Sequence, residues 1–187
     1  MLNIMKRIKP HVKIFMLIFF SMYLCLLSSS CHKWVYDEEL NGIQFKKVRY
    51  STSDSDTISI IGYIDENKVI NEIPCAAGWV HFTSDWKLKL FCLSETSQIK
   101  NVVLPSGTWV VSNYTEESLV VVFPDDTIIG TFPVKGGGGS KGVHTSFYDD
   151  GNLKSFFAFE KFEHIGVTYK KSIFNSINLT EEGTIIE

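Results

Sequence analysis

The sequence predicts an all-β protein: an elongated antiparallel β-sheet built from about four to five β-hairpin repeats, preceded by a signal peptide. Three observations carry this. From Asn41 onward no apolar stripe recurs at helical spacing, and short runs rich in Val, Ile, Phe, Thr and Trp alternate with polar clusters. The chain also repeats itself at a fixed interval. Finally, aromatic residues make up 13% of the composition, which suits the flat, half-buried surface of a pleated sheet.

The 187 residues have room for one domain plus a targeting segment. Lys6, Arg7, Lys9 and Lys13 precede an apolar run from Ile14 to Leu27, and Ser28-Ser29-Ser30-Cys31 follows. In that order these are the basic, apolar and small-residue cleavage regions of a secretory signal. The run holds 14 residues, short of the roughly 20 that a bilayer span needs. The chain therefore divides into a signal peptide over 1–30, a cysteine and tether over 31–40, and a hairpin-repeat domain over 41–187. Leu26-Leu27-Ser28-Ser29-Ser30-Cys31 resembles a bacterial lipobox. The resemblance implies that Cys31 is the lipid attachment site and becomes the new N-terminus. The product would be a lipoprotein, exported and anchored in the membrane of the cell envelope (outer membrane or periplasmic face). His32, where an aspartate would stand, implies by the same resemblance no retention at the inner membrane. The strict pattern puts a branched apolar residue three before the cysteine, and Ser28 stands there instead. Cleavage after a serine by the ordinary signal peptidase, leaving a soluble exported protein, is the alternative.

Charge excludes some partners. Four of the 18 bases lie in 1–30, leaving 14 against 21 acids, a net charge of −7 for the rest. Nucleic acid needs a basic footprint, so it is excluded as a partner. The same balance argues against adhesion to anionic lipid through a polybasic face. Residues 32–40, with Asp37, Glu38 and Glu39 together, read as a tether.

Along the domain, strands are predicted at 57–63, 79–83, 88–93, 108–113, 119–123, 144–148 and 153–159. Between them lie turn clusters, of which Asp149-Asp150-Gly151-Asn152 is the strongest hairpin signal. Sliding the chain by 65 positions lays 81–122 over 146–187 without a gap. Identities include Phe82/Phe147, Asp85/Asp150, Leu88/Leu153, Lys89/Lys154, Phe91/Phe156 and Val102/Val167. Ile73-Pro74-Cys75, Leu104-Pro105-Ser106-Gly107 and Phe132-Pro133-Val134 split each copy again, giving a unit of about 30 residues. Each unit holds a short apolar element, a Pro/Gly corner, a strand, an acidic turn and a return strand. One hairpin cannot bury an oily face alone, whereas stacked neighbours share a core.

The segments 143–156 and 80–89 resemble MORN-type repeats, and more closely bacterial hairpin repeats that read "fY-x-(D/N)-G-x-L-K-s". In those relatives an "I-x-G-I-P-C" step precedes each hairpin, and Ile70-Asn71-Glu72-Ile73-Pro74-Cys75 matches it with Glu72 in the glycine's place. The resemblance implies a fold, and occurrence in exported lipoproteins or antitoxin-like proteins. Ser118 in place of a turn glycine and the Gly136–Gly139 insertion depart from the pattern.

Candidate site residues are few. Trp79, Trp86 and Trp109 form a possible binding surface, since exposed tryptophans serve as hot spots; packing over a neighbouring strand is the alternative. Cys75 and Cys92 permit a disulfide in an exported compartment, or stand as half-buried thiols on neighbouring strands. Lys135 to Gly142 lacks the order of a phosphate loop and reads as a flexible connection. Acidic pairs at turns read as solvated tips, and His81, His144 and His164 form no ladder. No catalytic residues, metal or cofactor are expected. The expected function is a binding or structural module of the cell envelope, with an envelope protein as partner. The alternative is an exported enzyme or enzyme accessory subunit with a cleft between repeats, marked by a histidine clustered with buried acids. An antitoxin-like inhibitor follows from the resemblance alone.

Overall fold

The computed structural model describes residues 34–53, 56–112, 118–172 and 174–186. The signal peptide and Cys31 lie outside the described residues. Strands β1 (Val35–Leu40), β2 (Ile43–Ser53) and β3 (Asp56–Ile64) form a meander. A short hairpin, β4 (Lys68–Ile70) with β5 (Ile73–Cys75), then precedes the hairpin of β6 (Gly78–Thr83) and β7 (Leu88–Cys92). The pattern recurs with short β8 (Ser97–Ile99) and β9 (Val102–Leu104) before β10 (Trp109–Ser112) and β11 (Leu119–Val122). It recurs again with β12 (Thr127–Ile129) and β13 (Phe132–Val134) before β14 (Thr145–Phe147) and β15 (Leu153–Phe156). Last come β16 (Phe162–His164) and β17 (Val167–Tyr169) before β18 (Ile177–Leu179) and β19 (Ile185–Ile186).

The longer strands join one 11-stranded antiparallel sheet in the order β1-β2-β3-β6-β7-β10-β11-β14-β15-β18-β19, and each short hairpin is its own two-stranded sheet. Sheet neighbours are thus always the next long strands in sequence. At about 4.8 Å per strand the sheet extends for about 48 Å across its strands. The fold is all-β and elongated, as its turn chemistry and repeats predict.

Local chemistry sets the turns. At three sheet tips the same pair of backbone bonds closes the hairpin. Thr83, Tyr148 and Thr180 donate to the carbonyls four residues on, while Trp86, Gly151 and Gly183 donate back to the first residue. The donating position is left-handed in each case (φ 62°, 94° and 81°). Glycine adopts this conformation freely. At 151 it also admits close approach, because a Cβ there would lie 2.7 Å from the Asn101 carbonyl oxygen. Two short hairpins turn on paired left-handed residues, Asn71-Glu72 and Ile165-Gly166, whose twist matches that of the flanking strands.

A single sheet must cover its apolar face, and here the short hairpins do so. Ile70, Cys75, Leu104 and Val134 from these hairpins belong to one buried cluster with Phe82, Phe91, Val110, Val121, Phe147 and Phe156 from the sheet. Backbone bonds stitch the layers, among them Ala76 N–H to the Cys92 carbonyl at 2.8 Å and Lys135 N–H to that of Phe157 at 2.7 Å. The 65-residue periodicity is structural: β7, β8 and β9 return as β15, β16 and β17, and the equivalent Phe82/Phe147 and Phe91/Phe156 are all buried.

Two expectations need correction. Residues 35–40, read as tether, form the sheet's first edge strand, with Val35 opposite Val48 and Leu40 opposite Ile43. Their acids are what an edge strand carries to block pairing with other chains. The glycine-rich stretch, read as a flexible connection, is packed. Gly136 N–H donates to Asp126 Oδ1 at 2.9 Å and Gly137 N–H to the Phe123 carbonyl at 2.9 Å. A Cβ at Gly136 or Gly142 would come within 2.0 Å of the Asp125 or Gly137 carbonyl oxygen. These glycines serve close approach between backbones, not looseness.

Candidate binding face

Strand alternation sends every second side chain away from the covered core. In register, this opposite face runs from Arg49 through Ile61, His81, Leu90, Val111 and Val120 to Ser146 and Ser155. A second row places Lys47 opposite Tyr63 and Tyr63 opposite Trp79. Among the described residues no hairpin covers the β2–β6 end of this face. The insertion covers part of its middle: a Cβ on Gly139 would sit 3.7 Å from Trp109 Nε1, and one on Gly142 would sit 2.6 Å from Val122 Cγ1.

At the β2–β6 end the side chains form an aromatic and cationic cluster. The Trp79 ring lies 5.5 Å from that of Trp34 and 5.3 Å from that of Tyr63, centroid to centroid. Lys47 Nζ stands 4.8 Å from the Trp79 centroid and 5.6 Å from those of Trp34 and Tyr63. The Arg49 guanidinium carbon lies 5.0 Å from the Trp34 centroid. Ring faces are electron-rich and attract these cations. Among the described residues no ion pair includes Lys47 or Arg49. The nearby His81 imidazole is held below its usual range, first by burial and then by the Lys89 and Arg49 charges.

That shift makes a prediction. His81 binds its proton less readily folded than unfolded, so its contribution to stability is present above the ordinary histidine pKa of about 6.5. It is lost as pH falls through the depressed folded value. Denaturation midpoints are expected to drop as pH falls below about 6.5, and His81→Gln to flatten that slope. An unchanged slope in the variant would remove the assignment.

The three candidate tryptophans do not make one surface. Trp79 is at the centre of the cluster. Trp109 shares its face but lies beneath the glycine-rich insertion. Trp86 occupies the left-handed tip position that Gly151 and Gly183 fill elsewhere, and its ring packs 5.4 Å from Phe82, against the core. Trp34, Lys47, Arg49 and Tyr63 were not singled out from the sequence. The spacing Lys47-Val48-Arg49 signals alternation, but only the registers of three strands show that these residues meet Trp79.

Cys75 and Cys92 are free thiols. Cys75 pairs with Leu93 at the covered face, where burial, with a smaller effect of Cys92, pushes its thiol up to about 12. Cys92 is paired with Trp109 and so faces the other side of the sheet. Alternation thus separates the two sulfurs despite their neighbouring backbones.

Further along the open face, Ser118, His144, Ser146, Lys154 and Ser155 ring a shallow hollow of about 400 Å³ floored by Val111 and Val120. The Ser146 and Ser155 hydroxyls are hydrogen-bonded at 2.6 Å. Lys154 reaches this face from a β-bulge that shifts register between Ser146 and Phe147, and Lys89 occupies the matching bulge one 65-residue step earlier. The hollow offers hydroxyls, an imidazole and one ammonium group, not a paired acid and base. Among the described residues the buried polar side chains are Thr108 and Thr145, so no histidine meets a buried acid. No three of His, Cys, Asp and Glu converge there either.

The tip acids have structural partners. Asp150 accepts from Asn152 N–H at 2.8 Å, and Asp149 pairs with Lys100 at 2.6 Å. Asp126 holds Lys135 at 2.9 Å. Asp85 bonds Thr83 and Lys87, which hold its carboxyl below the usual range. Against known proteins, no family model, no curated protein and no solved structure matches this chain.

Proposed function

We propose that this chain is an exported lipoprotein of the bacterial cell envelope, anchored through an acylated Cys31, and that it works as a binding module through the open face of its sheet. The observation that supports this reading is the cluster of Trp34, Tyr63 and Trp79 with Lys47 and Arg49 on a sheet face that no hairpin of the described residues covers. Aromatic rings with cations unpaired by carboxylates are a ready surface for an anionic or aromatic partner. The Ser-Ser-Ser-Cys sequence behind a short apolar run supports the anchor.

The test combines two readouts in cells. A palmitate analogue is expected to label the wild-type chain and not Cys31→Ala. A photo-crosslinker at position 63 is expected to give adducts, and one at Val69, on the outside of a short hairpin, is not. Export of an unlabelled wild-type chain would end the anchor. Equal adduct yields at 63 and 69 would end the choice of face.

A further inference from the structure

Connectivity places the cluster beside the proposed anchor. Trp34 packs on Trp79 and beneath Arg49, on the open face. Cys31 precedes it by three residues, and three extended steps span at most about 11 Å. Any lipid on Cys31 is therefore attached within about 11 Å of the Trp34 backbone. The patch has the composition of a membrane interface. Tryptophan and tyrosine rings settle at headgroup depth, where one edge is apolar and the other wet. Lysine and arginine supply donors for phosphate oxygens.

The chain's net negative charge is not concentrated on the patch, because two of the nearest acids are engaged elsewhere. Asp37 bonds Lys46 at 3.0 Å, and Glu38 accepts from the Tyr50 hydroxyl at 3.5 Å. Tyr50 pairs with Ile60 on the covered face. Glu39, opposite Gln44, is on the open face but three residues along the strand from Lys47, about 10 Å away, and the charge of Asp65 is felt at Lys46. Two cations charge the patch, while Asp37 and Glu38 of β1 are engaged with Lys46 and Tyr50.

We propose that the end of the open face bearing Trp34, Lys47, Arg49, Tyr63 and Trp79 is seated on the headgroup surface of the membrane that holds the Cys31 anchor, with anionic lipid phosphates meeting Lys47 and Arg49. This deepens the binding-module reading and rests on its acylated Cys31. It names the occupant of that end of the sheet as lipid. It also orients the domain, laying the open face towards the bilayer and turning the short hairpins away.

The test uses the processed chain in vesicles of phosphatidylglycerol and phosphatidylcholine with brominated acyl chains, which quench tryptophan emission at short range. Quenching is expected in the mixed vesicles, with a large share lost in Trp79→Phe and none in Trp86→Phe. Each basic contact with an anionic surface is worth about five-fold in partition. Lys47→Gln with Arg49→Gln is therefore expected to cut quenching several-fold while the acyl chain still sediments the protein with the vesicles. Unchanged near-ultraviolet dichroism shows that the variants are folded. A vesicle-held protein with no quenching, or with equal quenching in the double variant, overturns the proposal. So does a crosslink from position 63 that goes to protein alone. If mass analysis finds no acyl group, the anchor reading fails separately. The unacylated chain is then floated with anionic and with neutral vesicles: retention by the anionic ones alone keeps the patch, and none removes it.

Discussion

Phe82→Ala and Phe147→Ala are each expected to lower the unfolding free energy by about 3–5 kcal/mol. Both rings are essentially inaccessible to water. Phe82 packs edge-on to Phe45 at 6.1 Å and beside Trp86 at 5.4 Å, while Phe147 meets Phe123 at 6.3 Å. Truncation loses the transfer free energy of the ring and leaves a cavity that the paired strands and the covering hairpins close only in part. Because the two positions are equivalent in the repeat, their losses should be of similar size. Urea denaturation followed by far-ultraviolet dichroism measures them. A loss below about 1 kcal/mol at either site would show that the short hairpins do not clamp that stretch of sheet. In an array where units touch mainly their neighbours, one damaged unit can also melt ahead of the rest. A broadened transition in either variant would report that.

Gly142→Ala and Gly136→Ala are expected to be the next most damaging changes, by about 1–3 kcal/mol each. Gly142 has ordinary extended dihedrals (φ −73°, ψ −171°), so backbone conformation does not demand glycine there. Space does. Its Cβ would collide with the Gly137 carbonyl and with Val122, and that of Gly136 with the Asp125 carbonyl. Either methyl group must lift the insertion from β10 and β11, exposing Val122 and Trp109. Denaturation midpoints and acrylamide quenching of Trp109 measure the effect. Ser140→Ala in the same insertion is expected to change little. Wild-type stability in Gly142→Ala would mean that the insertion does not rest on the sheet.

How much of this was legible beforehand follows from which interactions are local. Strand positions came through well: the run predicted at 79–83 is β6, that at 88–93 is β7, and that at 119–123 is β11, because alternation and turn residues act within a few positions. The paired short hairpins were seen only as apolar elements with a Pro/Gly corner. Their strands have three residues each, too few for a period to declare itself. Val35–Leu40 reads as tether because acids dominate its composition. Its pairing with β2 uses backbone groups, which every residue has, and composition is silent about them. The glycine-rich stretch reads as loose for a related reason. Glycine serves both freedom and close approach, and only the neighbouring atoms say which.

The candidate site divides along the same line. Trp79 stood out as a residue type worth watching, and so did Trp86 and Trp109. Nothing in one dimension separates a tryptophan over an open face from one folded against the core at a left-handed tip or one lying under an insertion. Lys47, Arg49, Tyr63 and Trp34 meet Trp79 across strands β2, β3 and β6, and a slip of one residue in either register would send half of them to the covered side.

The sequence by itself determined the β class, the hairpin periodicity and the apolar positions at 82, 91, 147 and 156, because side-chain patterning and turn chemistry are properties of neighbouring residues. Only the tertiary structure decided which face the short hairpins cover, which cations stack on which rings, and that Cys75 and Cys92 look in opposite directions. Those outcomes depend on register and layering, where free energy is gained between segments far apart in the chain and no local pattern records it.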